Sequence, residues 1–159
     1  MTKILVTGGA GFIPSCIAEK LAEKKENYIV VVDNFLTGNP IKIPTSTHNN
    51  VKFIKGDVNN FQDISGVFYA YQFDYVFHYA AMVGVKRTQE NPVSVLEDIT
   101  GIKNVLTLCK NTGVKRVYFS SSSEVYGEPV EFPQNEHTTP LNSRLPYAIV
   151  KNIGEAYLK

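Results

Sequence analysis

Hydrophobic positions follow two periods along this chain, one typical of buried strands and the other typical of amphipathic helices. Short runs rich in β-branched residues predict five strands, at residues 4–7, 28–33, 51–55, 75–78 and 114–120. Apolar residues spaced three and four apart predict helices at residues 17–25, 61–71, 92–111 and 147–159. Because these strands alternate with helices, the pattern predicts βαβ units and an α/β fold with a parallel sheet.

A glycine-rich turn follows the first predicted strand. Gly8 permits a tight turn, and Gly11 lets the backbone approach a phosphate at the positive end of the next helix. The second predicted strand ends at Asp33, whose carboxylate can accept hydrogen bonds from an adenosine ribose and would repel a 2′-phosphate. The sequence therefore predicts a dinucleotide site that favours NAD over NADP. A glycine turn beside an acidic strand end, without any ligand, is the alternative.

Pro14 occupies the position where such turns usually carry a third glycine. Proline is tolerated in the first turn of a helix, because the N–H that it lacks would have no partner there. Proline also disfavours helical geometry at the preceding residue, Ile13. We therefore expect a shifted helix start, with the affinity for phosphate as the property affected.

Candidate chemistry lies near the end of the chain. Tyr147 and Lys151 are four residues apart, which places both on one face of a helix. A nearby ammonium lowers the pKa of a tyrosine from about 10, so the pair is a candidate general base. In the serine-rich turn after the fifth predicted strand, Ser122 is a candidate partner for a reacting hydroxyl and Glu124 a second candidate acid or base. An ordinary surface helix and a polar turn are the alternatives.

These motifs together resemble the extended short-chain dehydrogenase/reductase family, the NAD-dependent nucleotide-sugar epimerases and dehydratases. The resemblance rests on "TGGAGFI" at residues 7–13, "GDV" at 56–58, "HYAA" at 78–81, "SSSSEVYG" at 120–127 and "YAIVK" at 147–151. It implies a Rossmann-like doubly wound parallel sheet that ends after the fifth strand and the helix of Tyr147 and Lys151. Residues 1–159 would then form an incomplete NAD-binding Rossmann domain without a substrate domain.

The resemblance also implies roles for individual residues. Ser122, Tyr147 and Lys151 would be catalytic, with Lys151 holding the nicotinamide ribose. Asp98 stands where the family usually has an asparagine, which affects a local supporting hydrogen bond. NAD would be bound by the following residues: Gly8, Gly11, Phe12, Ile13, Asp33, Asn34, Asp57, Val58, Ala80, Ala81, Tyr147 and Lys151.

Family members of this kind act by transient oxidation at the 4-position of a nucleotide sugar. The resemblance favours a UDP-sugar 4-epimerase. Glu124 and Arg144 also fit a UDP-glucuronate decarboxylase, whereas a dehydratase is disfavoured because Ser123 occupies the position of its aspartate. A catalytically inactive NAD-binding fragment is the third alternative, because the part that would hold the sugar is missing.

Composition narrows the possible partners. The net charge of +1 offers no basic surface for nucleic acid. The longest aliphatic run, "IVVV", is too short to span a bilayer, and the chain starts with a strand, so we expect a cytoplasmic protein without a membrane partner. No metal site is expected, and both cysteines, Cys16 and Cys109, are expected to be buried.

The last two predicted helices carry more apolar residues than a single sheet-facing stripe requires. The extra residues predict a second, outward patch: Val93, Leu108, Ile149, Ile153 and Tyr157. By resemblance, a patch of this kind implies a homodimer of the full-length protein.

Overall fold

The computed structural model describes residues 1–158 and contains a five-stranded sheet whose strand pairs are all parallel. The strands are β1 (Thr2–Thr7), β2 (Asn27–Asp33), β3 (Val51–Lys55), β4 (Tyr75–His78) and β5 (Arg116–Phe119). Their order in the sheet is β3-β2-β1-β4-β5, so the chain builds one side outward from β1 and then the other. This reversal leaves a crevice beyond the carboxyl ends of β1 and β4.

Helices lie between and after the strands. In the described part of the chain these are α1 (Phe12–Ala22), α2 (Phe61–Tyr71), α3 (Val85–Glu90), α4 (Pro92–Leu96), α5 (Asp98–Thr112) and α6 (Pro146–Tyr157). Short 3-10 turns lie at Pro40–Lys42 and Ser123–Tyr126. The predicted α/β fold with a Rossmann-like parallel sheet is therefore confirmed.

The sheet is covered on both faces, because successive residues of a strand point to opposite sides. On one face, Leu5 of β1 packs in a cluster with Phe68 of α2 and Leu108 of α5. On the other face, Val6 packs in a cluster with Ala18 of α1. A third cluster joins the last three helices, and it contains Val95, Ile102 and Val150, with Ile99 and Tyr147 at its margin.

The structure corrects several predicted bounds. The predicted helix at residues 92–111 is two helices, α4 and α5, with Glu97 between them. The short helix α3 was not predicted, because it lacks a buried stripe. The first helix begins at Phe12 rather than Ile17, so the expected late start is wrong. Pro14 is the third residue of α1, where no intrahelical partner is needed for the missing N–H.

Burial also differs from two expectations. Cys109 is buried as predicted, but Cys16 is exposed. Leu108 was predicted to face outward, but it is fully buried against the sheet. Helical spacing places a residue on a stripe but does not tell which stripe another element covers. No helix among residues 1–158 combines the length and apolar character needed to cross a membrane.

Candidate functional site

A cleft of about 660 Å³ lies at the carboxyl edge of the sheet. Such a volume lies in the range of small-molecule and cofactor sites. Neither Ser122 nor Glu124 lines the cleft, whereas Ser120, Ser121 and Asp98 do. Every residue predicted to hold the cofactor lines it: Gly8, Gly11, Phe12, Ile13, Asp33, Asn34, Asp57, Val58, Ala80, Ala81, Tyr147 and Lys151.

One end of the cleft, here called the Asp33 end, is formed by the β1–α1 turn, Asp33, Asn34 and Asp57. Gly8 has a left-handed backbone with φ of 68°. A Cβ atom at Gly8 would lie 2.8 Å from the backbone nitrogen of Ala80, so the turn and the end of β4 approach as closely as they do only with glycine there.

The Asp33 end offers free backbone donors. The amide of Ala10 donates to Asp33 Oδ2 at 3.0 Å, and the amide of Gly11 donates to the Gly8 carbonyl at 2.9 Å. Within the described chain, the amides of Phe12 and Ile13 find no protein acceptor at the start of α1. These two N–H groups and the positive end of the helix fit a phosphate.

Asp33 ends β2 and is buried, with 8% of its surface exposed. Besides the Ala10 amide on Oδ2, its Oδ1 accepts a hydrogen bond from the Phe35 amide at 2.7 Å. A carboxylate has about four lone-pair sites, so acceptor capacity remains for hydroxyl donors. Beside it, Asn34 Nδ2 donates to Asp57 Oδ2 at 3.0 Å, which ties the ends of β2 and β3 together.

The other end, here called the Lys151 end, is formed by Ser120, Ser121, Asp98, Tyr147 and Lys151. Lys151 is 3% exposed, and its Nζ donates to Ser120 Oγ at 3.3 Å. The same Nζ lies 5.6 Å from the centre of the Tyr147 ring, so the predicted pair is brought together. Burial lowers the pKa of the Lys151 ammonium to about 8, against the attraction of the Asp98 charge.

The phenol of Tyr147 is half-buried, and this burial raises its pKa. The Ser122 hydroxyl acts in the opposite direction on the pKa of Tyr147, and the negative charge of Glu124 adds to the rise. Both residues therefore lie near the phenol although neither lines the cleft. Loss of the phenolic proton of Tyr147 at neutral pH therefore requires further positive charge at this end, which would stabilise the phenolate.

Of the four serines after β5, the first three have three different partners. Ser120 contacts Lys151, and Ser121 Oγ donates to the carboxylate of Glu155 on α6. Ser122 caps the following 3-10 turn, where its Oγ accepts from the Glu124 amide at 3.2 Å. The first two serines thus fix α6 against the strand, and the third fixes the turn beside Tyr147.

Thr7 and His78 were not singled out from the sequence, although both are buried at the ends of adjacent strands. Thr7 Oγ1 accepts hydrogen bonds from the amides of Tyr79 and Ala80 at 3.2 Å. Its own proton is therefore directed to His78 Nδ1, 2.8 Å away. Burial lowers the pKa of His78 to about 3, so the ring is neutral. The contact depends on the register of β1 with β4, which places Thr7 opposite His78, and the sequence pattern does not show that register.

Asp98 is the first residue of α5 and is 9% exposed. Its Oδ2 accepts a hydrogen bond from the Met82 amide at 2.6 Å, which holds the segment after β4. At this position the acceptor of the backbone hydrogen bond is therefore a carboxylate. Burial raises the pKa of Asp98, and the Met82 hydrogen bond acts against that rise.

Comparison with known proteins identifies the family to which this chain belongs. The family model described as GDP-mannose 4,6 dehydratase matches residues 5–159. A putative UDP-glucose 4-epimerase of Methanocaldococcus jannaschii is 36% identical over 98% of this chain and 50% of its own length. UDP-glucuronic acid decarboxylase 6 of Arabidopsis thaliana is 32% identical over 98% of this chain and 45% of its own length.

A solved structure gives the same result. The UDP-glucose 4-epimerase of Bifidobacterium longum, in complex with NAD+ and UDP, matches with a TM-score of 0.89 at 32% identity, over 99% of this chain and 48% of that one. The chain spans about half the length of the curated relatives that it matches. It belongs to the extended short-chain dehydrogenase/reductase family, among the nucleotide-sugar epimerases and dehydratases, as the resemblance implied.

Proposed function

We propose that this chain binds NAD and carries the catalytic groups of a nucleotide-sugar 4-epimerase. The observation that supports this most directly is one cleft that has amide donors for a phosphate and a carboxylate acceptor for a ribose at the Asp33 end, and the Tyr147–Lys151 pair at the Lys151 end. A solved relative is a complex with NAD+ and UDP, which supports the same cofactor and substrate class here.

The residues present fit the cofactor. The free amides of Phe12 and Ile13 would bind the diphosphate, and the Asp33 carboxylate would accept from the adenosine ribose. Lys151 would bind the nicotinamide ribose. When bound there, NAD would supply reversible hydride transfer at the sugar carbon.

The protein side of the reaction is a proton transfer. Tyr147, as phenolate, would take the proton from the 4-hydroxyl of the sugar, and Lys151 as ammonium would stabilise that phenolate. Ser122 would orient the hydroxyl, since it lies close enough to affect the pKa of Tyr147. Return of the hydride to the opposite face of the 4-keto carbon, with return of the proton from Tyr147 to the 4-oxygen, would give the 4-epimer.

A UDP-glucuronate decarboxylase is the second candidate. The plant relative carries that name, and an exposed Glu124 acts electrostatically on Tyr147 beside the cleft. The whole protein would then catalyse the loss of carbon dioxide from the oxidised sugar, with Glu124 as acid or base.

Cofactor choice is tested by calorimetric titration of the chain with NAD and with NADP. We expect NAD to bind at least about tenfold more tightly, because Asp33 repels a 2′-phosphate. Asp33→Asn removes the charge but leaves one of the Ala10 and Phe35 amides facing an NH2 donor, so its folding is checked by circular dichroism. The folded variant should show a smaller difference between the two cofactors, whereas Glu26→Gln, an exposed remote control, should not. Equal binding of both cofactors by the unaltered chain would contradict the proposal.

The reaction is tested by incubation with NAD and either UDP-glucose or UDP-glucuronate, followed by chromatography. Conversion of UDP-glucose to UDP-galactose supports the epimerase, and release of carbon dioxide from UDP-glucuronate supports the decarboxylase. NAD binding without either product supports the third alternative, a cofactor-binding chain without turnover. Tyr147→Phe should abolish any conversion and leave NAD binding intact.

We also propose a homodimer of the full-length protein through α4 and α6. Val93 and Tyr157 are 75% and 76% exposed, and Ile149 of α6 is exposed as well. An apolar surface of this kind favours association. Sedimentation of the full-length protein should give a dimer mass over a concentration series, and Tyr157→Ser should shift it towards monomer.

A further inference from the structure

The Lys151 end of the cleft encloses one acid and one base of opposite charge. Asp98 and Lys151 are at least nine-tenths buried, and both line the cleft. They flank the apolar contact between α5 and α6, where Ile102 packs with Val150 and Tyr147. Each charge is therefore next in sequence to a residue of this cluster, Asp98 to Ile99 and Lys151 to Val150.

Within the described chain, neither charge has a partner of opposite charge within salt-bridge distance. Lys151 Nζ has the Ser120 hydroxyl as its hydrogen-bond acceptor, and no carboxylate lies within salt-bridge distance of it. Asp98 is held by a backbone amide, that of Met82, which orients the carboxylate without neutralising it. Asp33, the other acid buried in the cleft, lies at the opposite end and is bound by two amides.

The remaining titratable groups around the pair are few. From β4, His78 contributes a ring that is neutral, because burial keeps its pKa at about 3. From the β3–α2 segment, Asp57 repels Asp98, and Tyr147 on α6 carries a neutral phenol. Glu97 precedes Asp98 but is exposed. Asp98 is thus the acid whose removal would change the balance at Lys151 most.

We propose that Asp98 is a positioning residue that acts as the buried counter-charge of Lys151 and keeps Lys151 in its ammonium form at neutral pH. The charged form is the one that can donate to a bound ribose, a consequence that rests on the proposed function. On the pKa of Tyr147 the Asp98 charge acts directly in the raising direction, so any support for the phenolate comes only through Lys151. The direction agrees with the effect of Asp98 on the pKa of Lys151, which it raises against the lowering by burial.

The test follows the charge of Lys151 by ¹³C NMR of the lysine Cε atoms, with the signal assigned by its loss in Lys151→Met. In the unaltered chain the transition should centre near pH 8. Asp98→Asn keeps an acceptor for the Met82 amide and removes the charge, with an NH2 group in place of the second oxygen. The charged fraction of Lys151 at pH 8 should then fall from about one half to less than about one fifth.

Glu97→Gln is the matched control, because it removes a neighbouring but exposed acid of the same cleft. It should leave the Lys151 transition in place. An unchanged transition in folded Asp98→Asn overturns the inference. If that variant does not fold, the reciprocal measurement decides: in Lys151→Met the Asp98 carboxyl should titrate at higher pH, and an unchanged carboxyl transition overturns the inference.

A second measurement separates this inference from the proposed function. If the chain binds NAD, Asp98→Asn should weaken binding more at pH 8 than at pH 6, because Lys151 is charged in both chains at the lower pH. An equal loss at both pH values overturns the link from Asp98 through Lys151 to the cofactor. Failure of the unaltered chain to bind NAD contradicts the proposed function, while the NMR transition still supports or overturns the counter-charge.

Discussion

At the Asp33 end of the cleft a buried carboxylate has both oxygens bound by backbone amides, whereas at the Lys151 end a buried ammonium has a hydroxyl as its hydrogen-bond acceptor and, among the described residues, no carboxylate within salt-bridge distance. Asp33 receives the amides of Ala10 and Phe35. Lys151 has a hydroxyl, and its pKa is lowered to about 8 by burial. The contacts at the first end fix the geometry of the backbone around Asp33, whereas the surroundings at the second end allow Lys151 to change protonation.

The same contrast appears in the neighbours of each group. Donors at the Asp33 end belong to the backbone of the β1–α1 turn, so the acid also stabilises the turn. At the Lys151 end the pKa of Tyr147 and that of Asp98 are both raised by burial. Desolvation there disfavours each charged form, and a bound ligand or a counter-charge is needed to restore it.

The largest effect on stability is expected at the Asp33 end, when the carboxylate that binds the two amides is removed. Asp33→Ala leaves the buried amide of Ala10 and the partly buried amide of Phe35 without an acceptor and should lower the free energy of unfolding by about 2–4 kcal/mol. Urea denaturation measures the loss. The control Glu26→Ala, at an exposed position, should stay within about 0.5 kcal/mol of the unaltered chain. Equal midpoints for the two variants would show that Asp33 does not stabilise the turn.

The second prediction concerns the stability cost at the Lys151 end. Because the folded pKa of Lys151 is about 8, below its ordinary 10.5, the folded chain holds a buried ammonium below pH 8. That cost is complete below pH 8 and disappears as pH rises towards 10.5. Lys151→Met should therefore stabilise the chain by about 2–3 kcal/mol at pH 7 and much less at pH 10.5.

Urea denaturation at the two pH values checks this prediction. The exposed Lys103→Met is the control and should show no such pH dependence. Destabilisation by Lys151→Met at pH 7 would mean that the charge is better compensated than its surroundings indicate.

A smaller effect is expected where the two ends meet. Thr7→Val removes the hydroxyl that the Tyr79 and Ala80 amides and His78 share, at nearly constant shape. The free energy of unfolding should fall by about 2 kcal/mol. Thr100→Val, at an exposed helical position, controls for the change of residue type. Equal thermal midpoints for the two variants would show that Thr7 has no supporting role.

The smallest effect is expected at Pro14. The helix starts at Phe12 despite the proline, and the two free amides, those of Phe12 and Ile13, come before Pro14 in the chain. Pro14→Gly should therefore change the affinity for NAD by less than about threefold, measured by calorimetry. A tenfold gain would show that the proline, and not the start of the helix, limits phosphate binding.

Local patterns were enough to predict the parallel sheet, the glycine turn and Asp33 at the end of β2. These features depend on neighbours in sequence: a strand period of two, a helix period of 3.6 and the tolerance of proline in a first turn. The bounds of α2 and β3 agree with their predictions for the same reason. The four-residue spacing of Tyr147 and Lys151 likewise placed both on one helical face, and both line the cleft.

Tertiary packing alone decided which polar groups are buried and which partner each serine after β5 contacts. Ser120, not predicted, contacts Lys151, because strand β5 ends opposite that turn of α6. Asp98 and Lys151 face one cleft only because α5 and α6 pack together, and Thr7 meets His78 only through the register of β1 with β4. A sequence fixes the spacing of side chains along an element, whereas desolvation depends on what covers them, which is set by contacts between residues far apart in the chain.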